Sequence, residues 1–274
     1  ENNDPFVRRS DGSVGTASNH AGGILGGISS GEEIVVRVAA GTVAARLLAH
    51  FGVNVRAYVS TVGEVEVPLS YEELDLSLID ANLVRCPHPA TAALMETRIR
   101  AARDAHDTVG GIITAVATGV PAGLGEPVFD KLTAALAHAM MSLPASRGFE
   151  IGEGFAATRM SGSTHNDAFV PAPARDPAIG TRTNHSGGIQ GGISNGETIR
   201  FAVAFKPVAT IFSPQDTVTR AGTAISYRAR GRHDPCVLPR AVPMVEAMAA
   251  IVLCDHVLRR AGARVGELLG SDRR

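Results

Sequence analysis

The residue types best suited to chemistry in this chain are concentrated in two short stretches. The first, from Asn184 to Glu197, carries five glycines within ten residues: Gly187, Gly188, Gly191, Gly192 and Gly196. Glycine adopts positive φ freely and lets a ligand approach backbone amides closely. The same density of glycine also suits tight turns in a packed core. The stretch matches neither the G-x-G-x-x-G nor the P-loop pattern, so it predicts either a ligand-facing loop of another kind or a set of core turns.

The second stretch is a cluster of charge in a chain whose charges are otherwise evenly spread. Its members lie within seven residues, and they are Arg228, Arg230, Arg232, His233 and Asp234. Guanidinium groups match the geometry of phosphate, and a carboxylate that cationic neighbours keep ionised can act as a general base. A solvated strand closed by the Asp234–Pro235 turn explains the same letters equally well. Both interpretations stay open from the residues alone.

Isolated basic residues carry less information. Lys206 follows a predicted strand and, taken by itself, is typical of a surface lysine. His20 and His185 each precede a Gly-Gly pair and are interpreted as hydrogen-bonded loop histidines, while His138 is expected to be a core or groove residue.

Helices and strands that could position these residues alternate along the chain. Apolar spacing and flanking Gly or Pro predict helices over 38–51, 90–106, 128–143 and 243–260. β-branched runs predict strands over 53–67, 112–120, 149–160 and 198–205, with a loop over 161–183. The mixture of adjacent strands and long helices favours an α+β or layered α/β fold over a doubly wound parallel sheet.

The glycine-rich stretch occurs twice. Residues 18–34, SNHAGGILGGISSGEEI, reappear at 183–199 as TNHSGGIQGGISNGETI, and the similarity extends backwards to 3–7 and 166–170. Two copies are too few for a solenoid. A gene fusion or an assembly accident explains the duplication as well as a repeat with a role of its own does.

Composition bounds the partners and the compartment. With 274 residues, 45% of them hydrophobic, the chain can bury a large core, and 26 Lys and Arg against 27 Asp and Glu leave no footprint for nucleic acid or an anionic membrane. Three widely spaced cysteines favour neither a disulfide framework nor a zinc site. This predicts a reducing compartment, the cytoplasm. Residues 242–258 are expected to form a core helix and not a membrane span, and the opening residues do not resemble a signal peptide.

Six strings stand out along the chain: RVAAG (37–41), GVPAGLGEPVFDKL (119–132), NHSGGIQGGISNGE (184–197), KP (206–207), GRHDPC (231–236) and PRAVPMVEAMAAIVL (239–253). Together they resemble the chorismate synthase family, in the family's order and almost without interruption from about Arg37 to Arg260. The resemblance implies a layered β-α-β sandwich and a cytoplasmic homotetramer. It also implies the 1,4-elimination of phosphate from 5-enolpyruvylshikimate 3-phosphate to give chorismate with reduced FMN, with NADPH as a source of electrons.

The resemblance also implies site residues by motif position. Asp234 is implied as the catalytic carboxylate that assists proton removal near the flavin. The implied FMN contacts are Pro144, Ala145, Gly191, Lys206, Pro207, Val208, Ala209, Thr210 and Arg232. The family commonly has hydroxyl residues after Lys-Pro, whereas here only Thr210 retains one.

The family's first segments, with its Gly-Glu-Ser-His-Gly and His-Ala-Asp motifs, have no counterpart in this sequence. We therefore expect a fold that is incomplete at the N-terminus, with a repeat of the glycine-rich region over 1–36, a chorismate-synthase-like domain over 37–262 and a polar tail over 263–274. The alternative function is that of a catalytically inactive, truncated or chimeric relative that keeps only a flavin-binding or assembly role.

Overall fold

An antiparallel five-stranded sheet forms the centre of the protein. The computed structural model describes residues 6–8, 10–11, 14–16, 24–25, 28–29, 36–174, 178–228 and 234–263. The strand order is β6-β5-β7-β13-β8, with bounds Val65–Glu66, Asn54–Val62, Gly111–Thr118, Ile199–Phe205 and Ser146–Ile151. Antiparallel pairing confirms that this is not a doubly wound parallel sheet.

Alternation along the strands decides which face is buried. In β13, Ile199, Phe201, Val203 and Phe205 are buried, whereas the residues between them are partly exposed. Successive side chains of a strand point to opposite faces, so these four point to one face, the face on which the long helices pack.

Helices cover that face of the sheet. They are α1 (Val36–His50), α2 (Pro89–Asp104), α3 (Leu132–Met141) and α5 (Leu238–Ala263). A separate single turn, α4, spans Gly162–His165. α5 contacts α1, α3, β5 and β7. It meets α1 where Gly41 faces Ala247 so closely that a Cβ on Gly41 would overlap the Ala247 backbone. The central sheet and its helix layer confirm the predicted layered fold.

The longest helix, α5, contains a long apolar stretch. Leu238–Gly262 is long enough to cross a bilayer, and its most apolar stretch of 18 residues has a mean hydropathy of 1.7 and is half buried within the protein. Because α5 packs on two helices and two strands, we assign it as a core helix, in agreement with the prediction for 242–258.

The outer edge of β5 is closed by neighbouring segments. Ala57 N donates to Glu246 Oε1 of α5 at 2.8 Å, and Val59 N donates to Arg85 O at 3.0 Å. An open strand edge is a template for pairing with other chains. These two amides are therefore not available for such pairing.

Short hairpins surround the sheet, and two of them occur twice. β9 (Phe169–Pro171) pairs with β10 (Ile179–Thr181), and β11 (Ile189–Gln190) pairs with β12 (Ile193–Ser194). The N-terminal copy repeats both hairpins in the same register as β1–β2 and β3–β4, at Phe6–Arg8, Val14–Thr16, Ile24–Leu25 and Ile28–Ser29. The sequence repeat is thus also a structural repeat.

Four sequence predictions were wrong in their bounds. The helix predicted from 128 begins at Leu132, because residues 126–130 form a turn in which Glu126 N donates to Asp130 O. The strand predicted over 149–160 is shifted to Ser146–Ile151, because Gly152 and Gly154 both take positive φ and end it. The predicted loop 161–183 contains α4, β9 and β10. The last helix starts five residues before Pro243, which lies inside it.

Candidate functional site

Two implied cofactor segments meet where β13 ends. This end of the sheet, at which β13 finishes with Phe205 and β8 begins with Ser146, is called the lysine end. Lys206 N donates to Ala145 O at 3.0 Å, and Ala145 takes a left-handed φ of 66°. Antiparallel pairing of β8 with β13 thus brings Pro144–Ala145 beside Lys206, although about 60 residues separate them in sequence.

The segment just before β7, residues 108–110, contacts both the 206–208 segment and the segment that carries Asp234. Thr108 Oγ1 donates to Val208 O at 2.7 Å, and Val109 N donates to Pro235 O at 2.8 Å. A Cβ on Gly110 would overlap the Phe205 carbonyl. Residues 108–110 therefore lie between the segment that follows β13 and the segment that carries Asp234.

Asp234 is held by the first turn of α5. Its Oδ2 accepts a hydrogen bond from Arg240 Nη1 at 2.6 Å, and 29% of the Asp234 side chain is exposed. A charge-assisted bond of this length fixes the direction of the carboxylate. One face of it still reaches solvent. Arg232 and His233, which precede it, lie outside the described residues.

The 206–210 segment presents its polar groups outward. Lys206 Nζ donates only to the neighbouring Pro207 carbonyl, at 3.2 Å, among the bonds described for it. Ala209 and Thr210 are exposed, and the Ala209 carbonyl accepts a bond from Gln215 Nε2 at 3.4 Å. The ammonium of Lys206 and the hydroxyl of Thr210 are thus both accessible at the lysine end.

Sequence reasoning missed two residues that shape this end. The His106 carbonyl accepts Phe212 N at 3.2 Å and Ser213 Oγ at 3.4 Å, so it holds the loop that follows Thr210. Thr108 acts similarly on Val208. These bonds join residues about 100 apart in sequence, so no local pattern signals them.

The glycine-rich stretch lies at the opposite end of the sheet, where β13 begins with Ile199, and this is called the glycine end. A Cβ on Gly187 would overlap Gly152, one on Gly188 the Thr198 carbonyl, and one on Gly192 the Lys131 side chain. Those glycines are required by close packing. Gly191 differs, because it is exposed at the hairpin tip with φ 61° and a Cβ there would meet open space. The core-turn interpretation thus holds for these three glycines, whereas a ligand-facing role at the exposed Gly191 stays a prediction.

A buried carboxylate holds the start of this stretch. Asp167 accepts bonds from Thr183 Oγ1 at 2.7 Å, His185 N at 2.8 Å and Ser186 N at 2.8 Å. Burial raises the pKa of Asp167, but these bonds to the charged form outweigh it, so the pKa is lowered overall. His185 Nδ1 lies 3.2 Å from His165 O, which agrees with the prediction of a hydrogen-bonded loop histidine.

The two ends are far apart within one chain. β13 has seven residues, and at about 3.3 Å per residue it spans roughly 20 Å. Gly191 lies before one end of β13 and Lys206 directly after the other. The structure therefore brings together 144–145, 206–208 and 234, but places Gly191 away from them.

Chemically, the lysine end combines a flexible cation, a hydroxyl and a half-buried carboxylate. A lysine ammonium attracts phosphate or carboxylate groups as a point charge. A carboxylate with a fixed orientation can accept a proton from a molecule bound beside it. The arrangement suits an anionic ligand and a proton transfer.

Comparison with known proteins points to one family. A family model described as chorismate synthase matches residues 35–258. The chorismate synthases of Opitutus terrae and Synechococcus elongatus are each 56% identical over 236 residues, which are 86% of this chain and 64% and 65% of those proteins. A crystal structure of chorismate synthase superposes with a TM-score of 0.67 and 29% identity over 83% of this chain and 63% of that one. The chain spans less than two thirds of the length of these relatives.

Proposed function

The chain belongs to the chorismate synthase family, and from this premise we propose that it acts in the conversion of 5-enolpyruvylshikimate 3-phosphate to chorismate by 1,4-elimination of phosphate, with reduced FMN as cofactor. The observation that carries the proposal is the meeting of 144–145, 206–208 and 234 at the lysine end. These are segments that the family resemblance implies around the flavin. The inactive flavin-binding or assembly role is the outcome that an activity measurement must exclude.

The residues at the lysine end fit a flavin nucleotide. The Lys206 ammonium suits its phosphate, and the Thr210 hydroxyl and the 206–210 backbone offer hydrogen-bonding groups on the exposed side of the loop. Ala145, held at positive φ against Lys206, presents backbone beside them. When bound, reduced FMN supplies electron density for the departure of phosphate. Arg232 belongs to the proposed set by motif position alone.

Asp234 is the proposed proton acceptor. Its carboxylate is oriented by Arg240 at 2.6 Å and is still partly exposed, so it can receive the proton that leaves the substrate. Lys206 attracts the anionic groups of the ligands. Loss of phosphate and loss of one proton complete the elimination without net oxidation.

The separation of the two ends supports a shared site. A flavin nucleotide held at 206–210 of one chain cannot also reach Gly191 of that chain if about 20 Å of β13 lies between them. We propose that Gly191 of a second copy completes the site, within a homotetramer. NADPH as a source of electrons and a cytoplasmic location, which suits three buried free cysteines, complete the proposal.

The test is anaerobic chorismate formation from 5-enolpyruvylshikimate 3-phosphate by the purified chain with chemically reduced FMN. We expect turnover that falls at least about 100-fold in Asp234→Asn, because a positioned acid or base contributes that much. Asp104→Asn, an exposed carboxylate at the end of α2, is the matched control and should leave turnover unchanged. A folded chain that binds FMN without turnover would instead support the inactive alternative.

A further inference from the structure

The hydroxyl of Ser194 is buried and fully used. Ser194 follows the hairpin tip and is 3% exposed. Its Oγ donates to Pro121 O at 2.6 Å and accepts from Leu124 N at 2.8 Å. Both partners belong to the turn over 121–125, which follows β7.

The backbone of Ser194 binds the same turn. Ser194 N donates to Leu124 O at 2.8 Å, and Gly123 N donates to Ser194 O at 2.8 Å. One residue thus makes four hydrogen bonds to a single short turn. A buried site that needed only to be filled would take an apolar side chain, which has no such geometric demands.

One residue of the hairpin tip, Gly192, is held as well. Leu132 N, at the start of α3, donates to Gly192 O at 2.8 Å. A Cβ on Gly125 would overlap that same carbonyl. β11–β12 is therefore fixed between the 121–125 turn and α3, and Gly191 is the one exposed residue of 189–194.

The turn is itself anchored to the last part of α5. Arg260 Nη1 donates to the Ala122 carbonyl. Arg259 Nη1 lies 2.9 Å from Asp130 Oδ2 and 3.8 Å from Glu126 Oε2, on the segment that continues the turn. The support for the hairpin thus extends to the main helix of the core.

We infer that Ser194 is a positioning residue, whose hydroxyl fixes the direction in which the Gly191 backbone faces a bound ligand. The inference rests on the proposed function, in which Gly191 contacts FMN. A rigid hairpin with an uncovered glycine at its tip is suited to close approach by a ligand, and such contacts lose affinity when the backbone is displaced by fractions of an ångström. No other residue of the hairpin binds the turn through its side chain among the contacts described.

The experiment compares Ser194→Ala with Thr91→Val. Thr91 carries another buried hydroxyl, bonded to His88 Nδ1 at 2.7 Å on α2, which packs mainly on β5 and β6. For each protein we measure FMN affinity, thermal unfolding and deuterium uptake of the peptide over 187–196. Ser194→Ala removes both hydrogen bonds of the Oγ and should weaken FMN binding about tenfold, which is about 1.4 kcal/mol, and raise uptake in that peptide about tenfold. Thr91→Val should change either quantity less than about twofold.

Ser194→Cys keeps the shape of the side chain with a larger atom that is a weaker donor and acceptor, so it should fall between wild type and Ser194→Ala, and it serves if the alanine variant does not fold. The inference is overturned if uptake over 187–196 is unchanged in the Ser194 variants, or if Thr91→Val weakens FMN binding as much for the same loss of thermal stability. If wild type binds no FMN, the proposed function fails, while the deuterium uptake still decides whether Ser194 positions the hairpin.

Discussion

At the scale of single residues, the described part of the chain shows how burial sets the behaviour of polar groups. His256 on α5 is 4% exposed, and its Nδ1 has no hydrogen-bond partner. Burial, with the nearby Arg259 guanidinium adding to it, lowers the pKa of His256, whereas the carboxylates of Asp255 and Glu126 act in the opposite direction. The histidine is therefore held neutral in the folded protein.

This predicts acid sensitivity. Because the pKa of His256 is lower in the folded than in the unfolded chain, the unfolded chain binds more protons, and the free energy of unfolding falls as pH drops through about 6.5 toward the folded pKa. In His256→Leu this part of the pH dependence should disappear. Urea unfolding between pH 5 and pH 8 measures it, with exposed His50→Gln as the control. Equal slopes in wild type and His256→Leu would contradict the assignment.

At the scale of secondary-structure elements, the crossing of α1 and α5 depends on a glycine. Alanine is normally the better helix former, but a Cβ on Gly41 would overlap Ala247. We expect Gly41→Ala to lower the free energy of unfolding by about 1–3 kcal/mol through overpacking. Gly262→Ala, near the end of α5 where a Cβ meets open space, should instead be neutral or stabilise by up to about 1 kcal/mol. Chemical denaturation distinguishes the two, and a stabilising Gly41→Ala would show that the helices separate at little cost.

The edge of β5 gives a second prediction for an element. Glu246 is mostly buried, and burial raises its pKa, while its bond from Ala57 N acts to lower it. Glu246→Leu should lower the free energy of unfolding by about 1–3 kcal/mol, because a buried amide loses its acceptor, and should increase aggregation at the uncovered edge. Glu96→Gln, which removes an exposed i,i+4 pair with Arg100, should cost less than about 0.5 kcal/mol. Urea unfolding and light scattering test both, and equal losses would argue against the edge role.

The elements also show what a sequence can predict. The apolar spacing of α1 and the stop at Gly52, which takes φ 77°, depend on neighbours a few residues away, and the prediction was confirmed. The predicted start of α3 was wrong because residues 126–130 form a turn and the helix begins only at Leu132, whose N bonds to the carbonyl of Gly192, 60 residues later. No local pattern contains that contact.

At the scale of the whole molecule, the same limit applies to the candidate site. The glycines and the lysine could be selected from their types and motifs, but the register of β7, β8 and β13 decides that Ala145 and Val208 lie at one end and Gly191 at the other. The side-chain bond from Thr108 to Val208 spans 100 residues and had no signal in the sequence. The motifs therefore predicted which residues belong to the candidate site. The pairing of distant strands decides which of those residues lie close together.

A shared site makes a prediction for the assembly. Gly191→Val and Lys206→Gln should each weaken FMN binding, but they damage opposite ends. When one chain of each variant shares its two sites with the other, one of those sites carries both defects and the other carries neither. Random mixing of the two variants should therefore restore about a quarter of all sites. FMN titration of co-refolded variants measures this, and a mixture of Lys206→Gln with Thr210→Val, both at the lysine end, is the control. No recovery in the first mixture would place both contacts within one chain.

The two copies of the duplicated hairpins fold in the same way although different elements follow them. The pairs β1–β2 and β3–β4 repeat the register of β9–β10 and β11–β12 at a distance of 165 residues for three of the four strands, yet the chain continues into helix α1 after one copy and into strand β13 after the other. Their pairing is thus encoded in the segment itself and does not depend on the type of element that comes next. A segment that carries its own pairing in this way can form the same two hairpins in different sequence contexts.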